Sequence, residues 1–169
     1  DVARDNPDIK SFTCPITGKQ AWAIPAAKPD VVVIHAWRAD KYGNVQIQER
    51  SMLPQYLNVD MARACRNLIV TVEEIVDTEV IKQSPQLTLI PAFRTAAVCL
   101  VPHGSHPTAT VACTEEDGDH FEAYVAASDS SEHFDAYLDE YIRGTRDFSA
   151  YLEKIGKSHL KELEVAAHV

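Results

Sequence analysis

Apolar positions in this chain fall into blocks with different rhythms. Val31, Val32, Val33 and Ile34 are β-branched with no polar break, the pattern of a strand covered on both faces as in a parallel sheet. The apolar run reaches Trp37 and ends in the charged turn Asp40-Lys41-Tyr42-Gly43-Asn44, built from residues that favour turns. An interior strand there delivers polar groups to its C-terminal end, where open α/β sheets keep their ligands. Val45-Gln46-Ile47-Gln48 then alternates apolar with polar, predicting a short half-buried strand that is either a hairpin partner or a sheet edge.

Asn58 or Asp60 is positioned to cap a helix running through Arg66, and residues 68–72 predict the next buried strand. Strand, helix, strand implies a right-handed parallel crossover. Residues 87–90, halted by Pro91, and 96–101, halted by Pro102, are further strand candidates. From Ser128 the period changes: Phe134, Tyr137, Leu138, Tyr141 and Ile142 fall on one helical face. Asp129 or Ser130 would cap that helix, Thr145 a second one that stops at Gly156, and Ser158 would open a third toward Leu163. Residues 1–28, with Pro7, Pro15, Gly18 and Pro25 and little periodicity, read as an irregular arm packing on a neighbour. The expected organisation is an arm (1–28), an α/β core (29–127) and C-terminal helices (128–169). The fold class is α/β, three-layer, with a mostly parallel sheet and a C-terminal helical extension.

Composition narrows the function. With 169 residues and 46% hydrophobic content, one domain with a real core, or part of a larger one, is expected. No apolar run approaches the ~18 residues of a membrane span, so no membrane partner is expected. A formal charge of -9 without a dense basic cluster argues against nucleic acid. Cys14, Cys65, Cys99 and Cys113 are widely spaced with no CxxC, which suits free thiols in a reducing compartment, hence a cytoplasmic protein. The first residue is Asp1 and the first clear core strand begins near Val31, so the chain is read as a fragment of a longer protein.

Candidate chemistry gathers at strand ends. Glu73 and Glu74 follow the apolar residues 68–72, and adjacent strand residues point to opposite faces. Either they bind backbone amides or pair with a base, or one of them lines a pocket. Pro102-His103-Gly104-Ser105-His106-Pro107-Thr108 also follows a strand, and Gly104 would let backbone approach a ligand closely. The alternative is a turn held by hydroxyl and imidazole hydrogen bonds. His103 and His106 have a spacing seen in metal sites, yet no third ligand completes a recognisable pattern, so no metal is expected. His35, inside an apolar strand, is either a core histidine with both nitrogens satisfied or a donor facing substrate. Arg38 and Asn44 belong to a polar cap that turn chemistry alone can explain. The pocket or interface candidates are therefore His35, Arg38, Asn44, Glu73, Glu74, Gly104, Ser105 and His106, with no catalytic residue assigned. No G-x-S-x-G elbow, G-x-G-x-x-G or Walker A sequence is present.

Several of these blocks occur in one order. Residues 29–46, Asn58-Val59-Asp60-Met61-Ala62-Arg63-Ala64 and Ile69-Val70-Thr71-Val72-Glu73-Glu74-Ile75-Val76 resemble the alpha subunit of the class I coenzyme A transferases (CoA-transferases) of the glutaconate and 3-oxoacid type. Phe12-Thr13-Cys14-Pro15-Ile16-Thr17-Gly18, the 101–108 loop and the aromatic-rich tail at 124–156 extend the likeness over nearly the whole chain, as the C-terminal part of such a subunit. In that family a second small residue, often glycine, stands where this chain has His103. The resemblance implies transfer of coenzyme A between an acyl-CoA thioester and a carboxylic acid, with the thioester as substrate and no permanently bound cofactor. It also implies a partner, the CoA-transferase beta subunit. A glutamate of that partner would attack the thioester, passing through an acyl anhydride to a glutamyl-CoA thioester. Coenzyme A phosphates would be held elsewhere, by the same partner, and this chain alone would be inactive. Two alternatives remain: a hydrolase that opens rings on coenzyme A thioesters of steroid degradation, on the same scaffold, and a noncatalytic ligand-binding or assembly module.

Overall fold

The computed structural model of the chain describes residues 5–48 and 53–165. It divides into two compact units, Asp1–Asp30 and Val31–Val169. In the first, where no regular element was expected, β1 (Lys10–Thr13) pairs antiparallel with β2 (Gln20–Ala23). The four-residue strands are too short to register as periodic, and the Thr17-Gly18 turn joins them, with Gly18 at φ +69° and its amide bonded to the Cys14 carbonyl. Residues 1–4 of the expected arm and 166–169 of the expected helical tail lie outside the described residues.

The second unit is built on a sheet of five strands in the order β6-β4-β3-β5-β7. These are β3 (Val32–Asp40), β4 (Val45–Gln46), β5 (Leu68–Val76), β6 (Thr88–Ile90) and β7 (Thr95–Leu100). The three long strands β3, β5 and β7 are parallel. The short β4 runs antiparallel to both its neighbours, β3 and β6, so Val45 and Gln46 do form the hairpin partner of β3 and β6 shares the direction of the long strands. Apolar β-branched runs made β3 and β5 legible because such side chains fit a covered, pleated surface.

Helix α1 (Leu53–Ala64) crosses between β3 and β5. It starts earlier than the Asn58 or Asp60 cap predicted, because Pro54 sits in its first turn, where a missing N–H costs nothing. Its Val59, Ala62 and Cys65 just beyond it pack with Ile34, Leu68, Val70, Val72 and Ile90 into one buried cluster. Each such fully buried aliphatic contributes roughly 1.5–3 kcal/mol relative to exposure. A short helix α2 (Thr78–Gln83), not anticipated from periodicity, follows β5.

The opposite sheet face changes character along its length. Near the strand starts Val33 is exposed, whereas further along His35, Thr71 and Glu73 are covered by the loop that follows β7. That loop leads into α3 (Gly118–Ala127), α4 (Ser131–Leu138), α5 (Phe148–Ile155) and α6 (Lys157–Glu162). Helices thus begin at Gly118, ten residues before the expected boundary, because Asp117 caps α3 by accepting from the His120 amide. Ser130 caps α4 as expected, but α5 is capped by Asp147 rather than Thr145. Thr145 instead donates its hydroxyl to the Tyr141 and Ile142 carbonyls. The tail is fastened to the loop by Glu115 N–H to Leu163 O and Val165 N–H to Cys113 O. The order is helices, sheet, then loop and helical tail, a three-layer α/β arrangement.

Candidate functional site

β5 extends beyond residues 68–72 to Val76, so Glu73 and Glu74 lie within the strand, not after it. Their faces do diverge. Glu74, half exposed, lies opposite Arg38 on β3, 3.9 Å from its guanidinium. Glu73 turns inward and is bonded by three donors. His35 Nε2 (2.8 Å) and the Thr110 hydroxyl (2.9 Å) reach its Oε1, and the His103 amide (2.8 Å) reaches its Oε2. Burial pushes the Glu73 carboxyl up, but those donors together outweigh it and hold it below the usual carboxylate range. Glu73 is therefore an ionised carboxylate with both oxygens hydrogen-bonded.

His35 faces Thr71 across the β3–β5 ladder, and its Nδ1 meets the Thr71 hydroxyl at 2.8 Å. Both ring nitrogens have partners, and the ring also borders a cavity. The ring's remaining edge explains Gly104. A Cβ there would lie 2.8 Å from His35 Cε1 and Nδ1 and 2.8 Å from the Val101 carbonyl. The close packing of the imidazole thus requires a glycine here. His103, at φ +58°, takes the left-handed conformation that a glycine adopts at no cost. The bond from its amide to Glu73 offsets that strain.

A cavity of about 450 Å³ adjoins this network, between the middle of β3, the residues after β4, α1 and the 105–111 turn. Apolar walls come from Trp37, Ile47 and Val111; Gln48, Asn58 and Ser105 add neutral polar groups. Arg38 stacks on Trp37, 3.7 Å from the ring centre, and donates through Nε to Gln46, so it braces the wall from behind. Among the described residues, no Asp, Glu, Lys or Arg lines the cavity. A more open groove of about 500 Å³ between α5 and α6 is walled by Glu153, Lys157, Lys161 and Glu164. Those side chains are exposed, and only His103 of the Glu73 network borders them, so the cavity beside His35 is the stronger site.

Of the eight sequence candidates, the structure brings His35, Glu73, Gly104 and Ser105 together. Arg38 stands one layer back. Asn44 serves the turn: its amide groups bond Asp40, whose carboxylate also accepts from the Tyr42 amide and Thr78, and its Oδ1 accepts from the Ala92 amide. Glu74 meets only Arg38 among the ion pairs of the described residues. His106 belongs to a second node. Its Nε2 lies 3.0 Å and the His159 Nε2 2.8 Å from Asp117 Oδ2, while the Tyr151 hydroxyl meets its Nδ1 at 2.6 Å. Burial raises the Asp117 carboxyl, yet the His120 amide and the two imidazoles bring it down to about 2. Among the described residues, no group of three histidine, cysteine or acidic side chains is arranged to hold a metal ion. Thr71, Thr110, Asp117 and His159 were not singled out, since an isolated threonine or aspartate carries no local signal of a partner some forty residues away.

The model of the coenzyme A transferase family matches residues 8–100. The chain belongs to that family. It is 42% identical over 159 residues to the alpha (A-type) subunit of 3-oxoadipate CoA-transferase from Pseudomonas knackmussii, covering 93% of this chain and 54% of that protein. It is 34% identical over 148 residues to the corresponding subunit of glutaconate CoA-transferase from Acidaminococcus fermentans, covering 88% and 45%. The solved structure of the glutaconate coenzyme A-transferase from that organism superposes with a TM-score of 0.83 at 32% identity, over 95% of this chain and 50% of that one. The chain thus spans about half the length of the curated relatives it matches. The likeness to the alpha subunit seen in the sequence and the three-layer α/β fold both stand on these findings. No helix among the described residues is long and apolar enough to cross a membrane.

Proposed function

We propose that this chain forms the acyl-binding half of a transferase alpha subunit, which moves coenzyme A between an acyl-CoA thioester and a carboxylic acid. The observation that carries this reading is the pairing of a neutral, partly apolar cavity with a carboxylate whose two oxygens are both already held by protein donors. Glu73 is the acid nearest the cavity, and three donors already occupy it. A nucleophilic carboxylate needs an accessible oxygen lone pair aimed at the thioester carbonyl. The nucleophile then comes from a partner, the beta subunit, in agreement with relatives that are each named as one lettered subunit of a CoA-transferase. The role of this chain is to orient the acyl group: Trp37 and Ile47 pack its carbon chain, and Ser105, Gln48 and Asn58 meet its polar atoms. The thioester is substrate, no resident cofactor is invoked, and the four unpaired cysteines support a cytoplasmic enzyme.

Peptide mass mapping of the complete two-subunit enzyme after reaction with acyl-CoA tests this assignment. A glutamyl-CoA adduct on the partner, with Glu73 unmodified and no turnover by this chain alone, is expected. An adduct on Glu73, or turnover by the isolated chain, would overturn it.

A further inference from the structure

The cavity wall at Ser105 and residues 108–111 belongs to the loop after β7. That loop reaches the sheet through the His103 amide and the Thr110 hydroxyl, and both end on one carboxylate, Glu73. Two anchors on one group leave the span between them free to hinge about the line that joins them, so a third point off that line is needed to fix the wall. His106, midway along the span, supplies it. Its side chain is 4% exposed, and its ring is held from outside the span, Nε2 by Asp117 at 3.0 Å and Nδ1 by the Tyr151 hydroxyl of α5 at 2.6 Å. Asp117 also donates its amide to the Pro107 carbonyl. An ionised carboxylate only accepts, so Nε2 carries a hydrogen, and a ring with one hydrogen offers Nδ1 as acceptor. Burial pushes the Tyr151 hydroxyl up to about 12, so it keeps its hydrogen and donates it.

We propose that Tyr151 is a positioning residue for the cavity: from the helical tail, 45 residues along the chain from its partner, it donates to His106 and so fixes the wall formed by Ser105 and residues 108–111. The consequence for acyl binding rests on the acyl-pocket reading above. Without the hydroxyl, Nδ1 becomes a buried acceptor that has lost its donor. His106 then regains one by turning toward water, which takes the adjacent Ser105 out of line. A second pair in the tail provides the contrast. The Tyr137 hydroxyl of α4 lies 2.8 Å from His120 Nε2, a bond of the same kind whose histidine belongs to α3 and not to the span.

The test compares Tyr151→Phe with Tyr137→Phe in the full chain assembled with the proposed beta subunit. Each removes one hydroxyl from a tyrosine–histidine pair and keeps the ring. Tyr151→Phe is expected to speed amide hydrogen exchange in residues 103–111 about three- to tenfold, the range of one net hydrogen bond. Calorimetry should show butyryl-CoA bound more weakly by a similar factor, with the affinity for free coenzyme A unchanged, a split that a general loss of stability would not produce. Tyr137→Phe should move neither. Nitrogen NMR of the wild-type imidazoles should find the His106 hydrogen on Nε2 and a bare Nδ1, and this reading needs no variant, so it decides even where Tyr151→Phe folds poorly. Loop exchange unchanged by Tyr151→Phe, or raised as much by Tyr137→Phe, or a His106 hydrogen on Nδ1, would overturn the inference and leave the transferase reading in place. Faster loop exchange with unchanged butyryl-CoA binding would uphold the positioning of the wall and overturn the acyl assignment of the cavity.

Discussion

Two buried carboxylates organise the loop after β7, and they differ in what lies beyond their donors. Asp117 is bonded by the His120 amide, His106 and His159, Tyr151 closes the outer nitrogen of His106, and the groove of about 190 Å³ that Asp117 borders is lined by the charged Asp119 and Lys154. Glu73 has as many donors, but two of the groups around it, His35 and Thr110, also face a cavity. The first carboxylate holds the helical tail to the loop, and the second holds the loop to the sheet while shaping a binding surface. A well-bonded carboxylate is thus not by itself a sign of chemistry. What separates the two is the lining of the volume beside their donors, neutral among the described residues at Glu73 and charged by Asp119 and Lys154 at Asp117.

That contrast can be broken from either end. The largest effect is expected for Asp117→Ala, which strands two imidazoles and uncaps α3. Breaking a buried charged cluster costs about 3–5 kcal/mol, and chemical denaturation should show it together with faster hydrogen exchange in α5 and α6. Glu73→Ala should cost about 2–3 kcal/mol, the scale of lost hydrogen bonds to a charged group. Its exchange signature should fall on residues 102–110 instead of the tail, and ligand binding should fall with it. Gly104→Ala forces a methyl against the His35 ring and the Val101 carbonyl, an overpacking cost of about 1–3 kcal/mol, and should tilt the cavity wall enough to weaken acyl-CoA binding. The smallest effect is expected for His103→Gly, which relieves the left-handed backbone and should be neutral or stabilising by up to about 1 kcal/mol in a thermal melt.

Acidification acts on both carboxylates. Asp117 falls from an ordinary 3.8 to about 2 in the folded chain, and Glu73 is lowered as well. A group with a depressed folded pKa adds stability that is complete above its unfolded value and disappears as pH drops through the folded one. Stability should therefore decline from about pH 4 toward pH 2, and urea midpoints of Asp117→Asn should follow a flatter curve over that window than those of the wild type.

The parts of this architecture that were legible in the sequence are those whose signal is local. Val31 to Ile34 and residues 68–72 spelled out parallel strands, and Phe134, Tyr137 and Tyr141 marked a helix through their spacing. The hairpin at 10–23 and the short α2 were invisible because elements of four to six residues hold too few positions to show a period. In the candidate site, His35, Glu73, Gly104 and Ser105 stood out by position at strand ends and in a glycine turn. Thr110 and Thr71 did not, because their roles come from register and loop closure. Glu73 and Thr110 are 37 residues apart, and nothing in either one's neighbours announces the other. Gly104 was noticed for close approach, and the group that approaches it within the chain is His35.

The most direct test is a crystal structure of the chain with the proposed beta subunit and a bound acyl-CoA. The account predicts acyl density in the cavity between Trp37, Ile47 and Ser105, with the thioester carbon facing a glutamate of the partner protein and Glu73 still bonded to His35, Thr110 and the His103 amide. Acyl density elsewhere, with this cavity filled by water or by protein from the rest of the assembly, would contradict it.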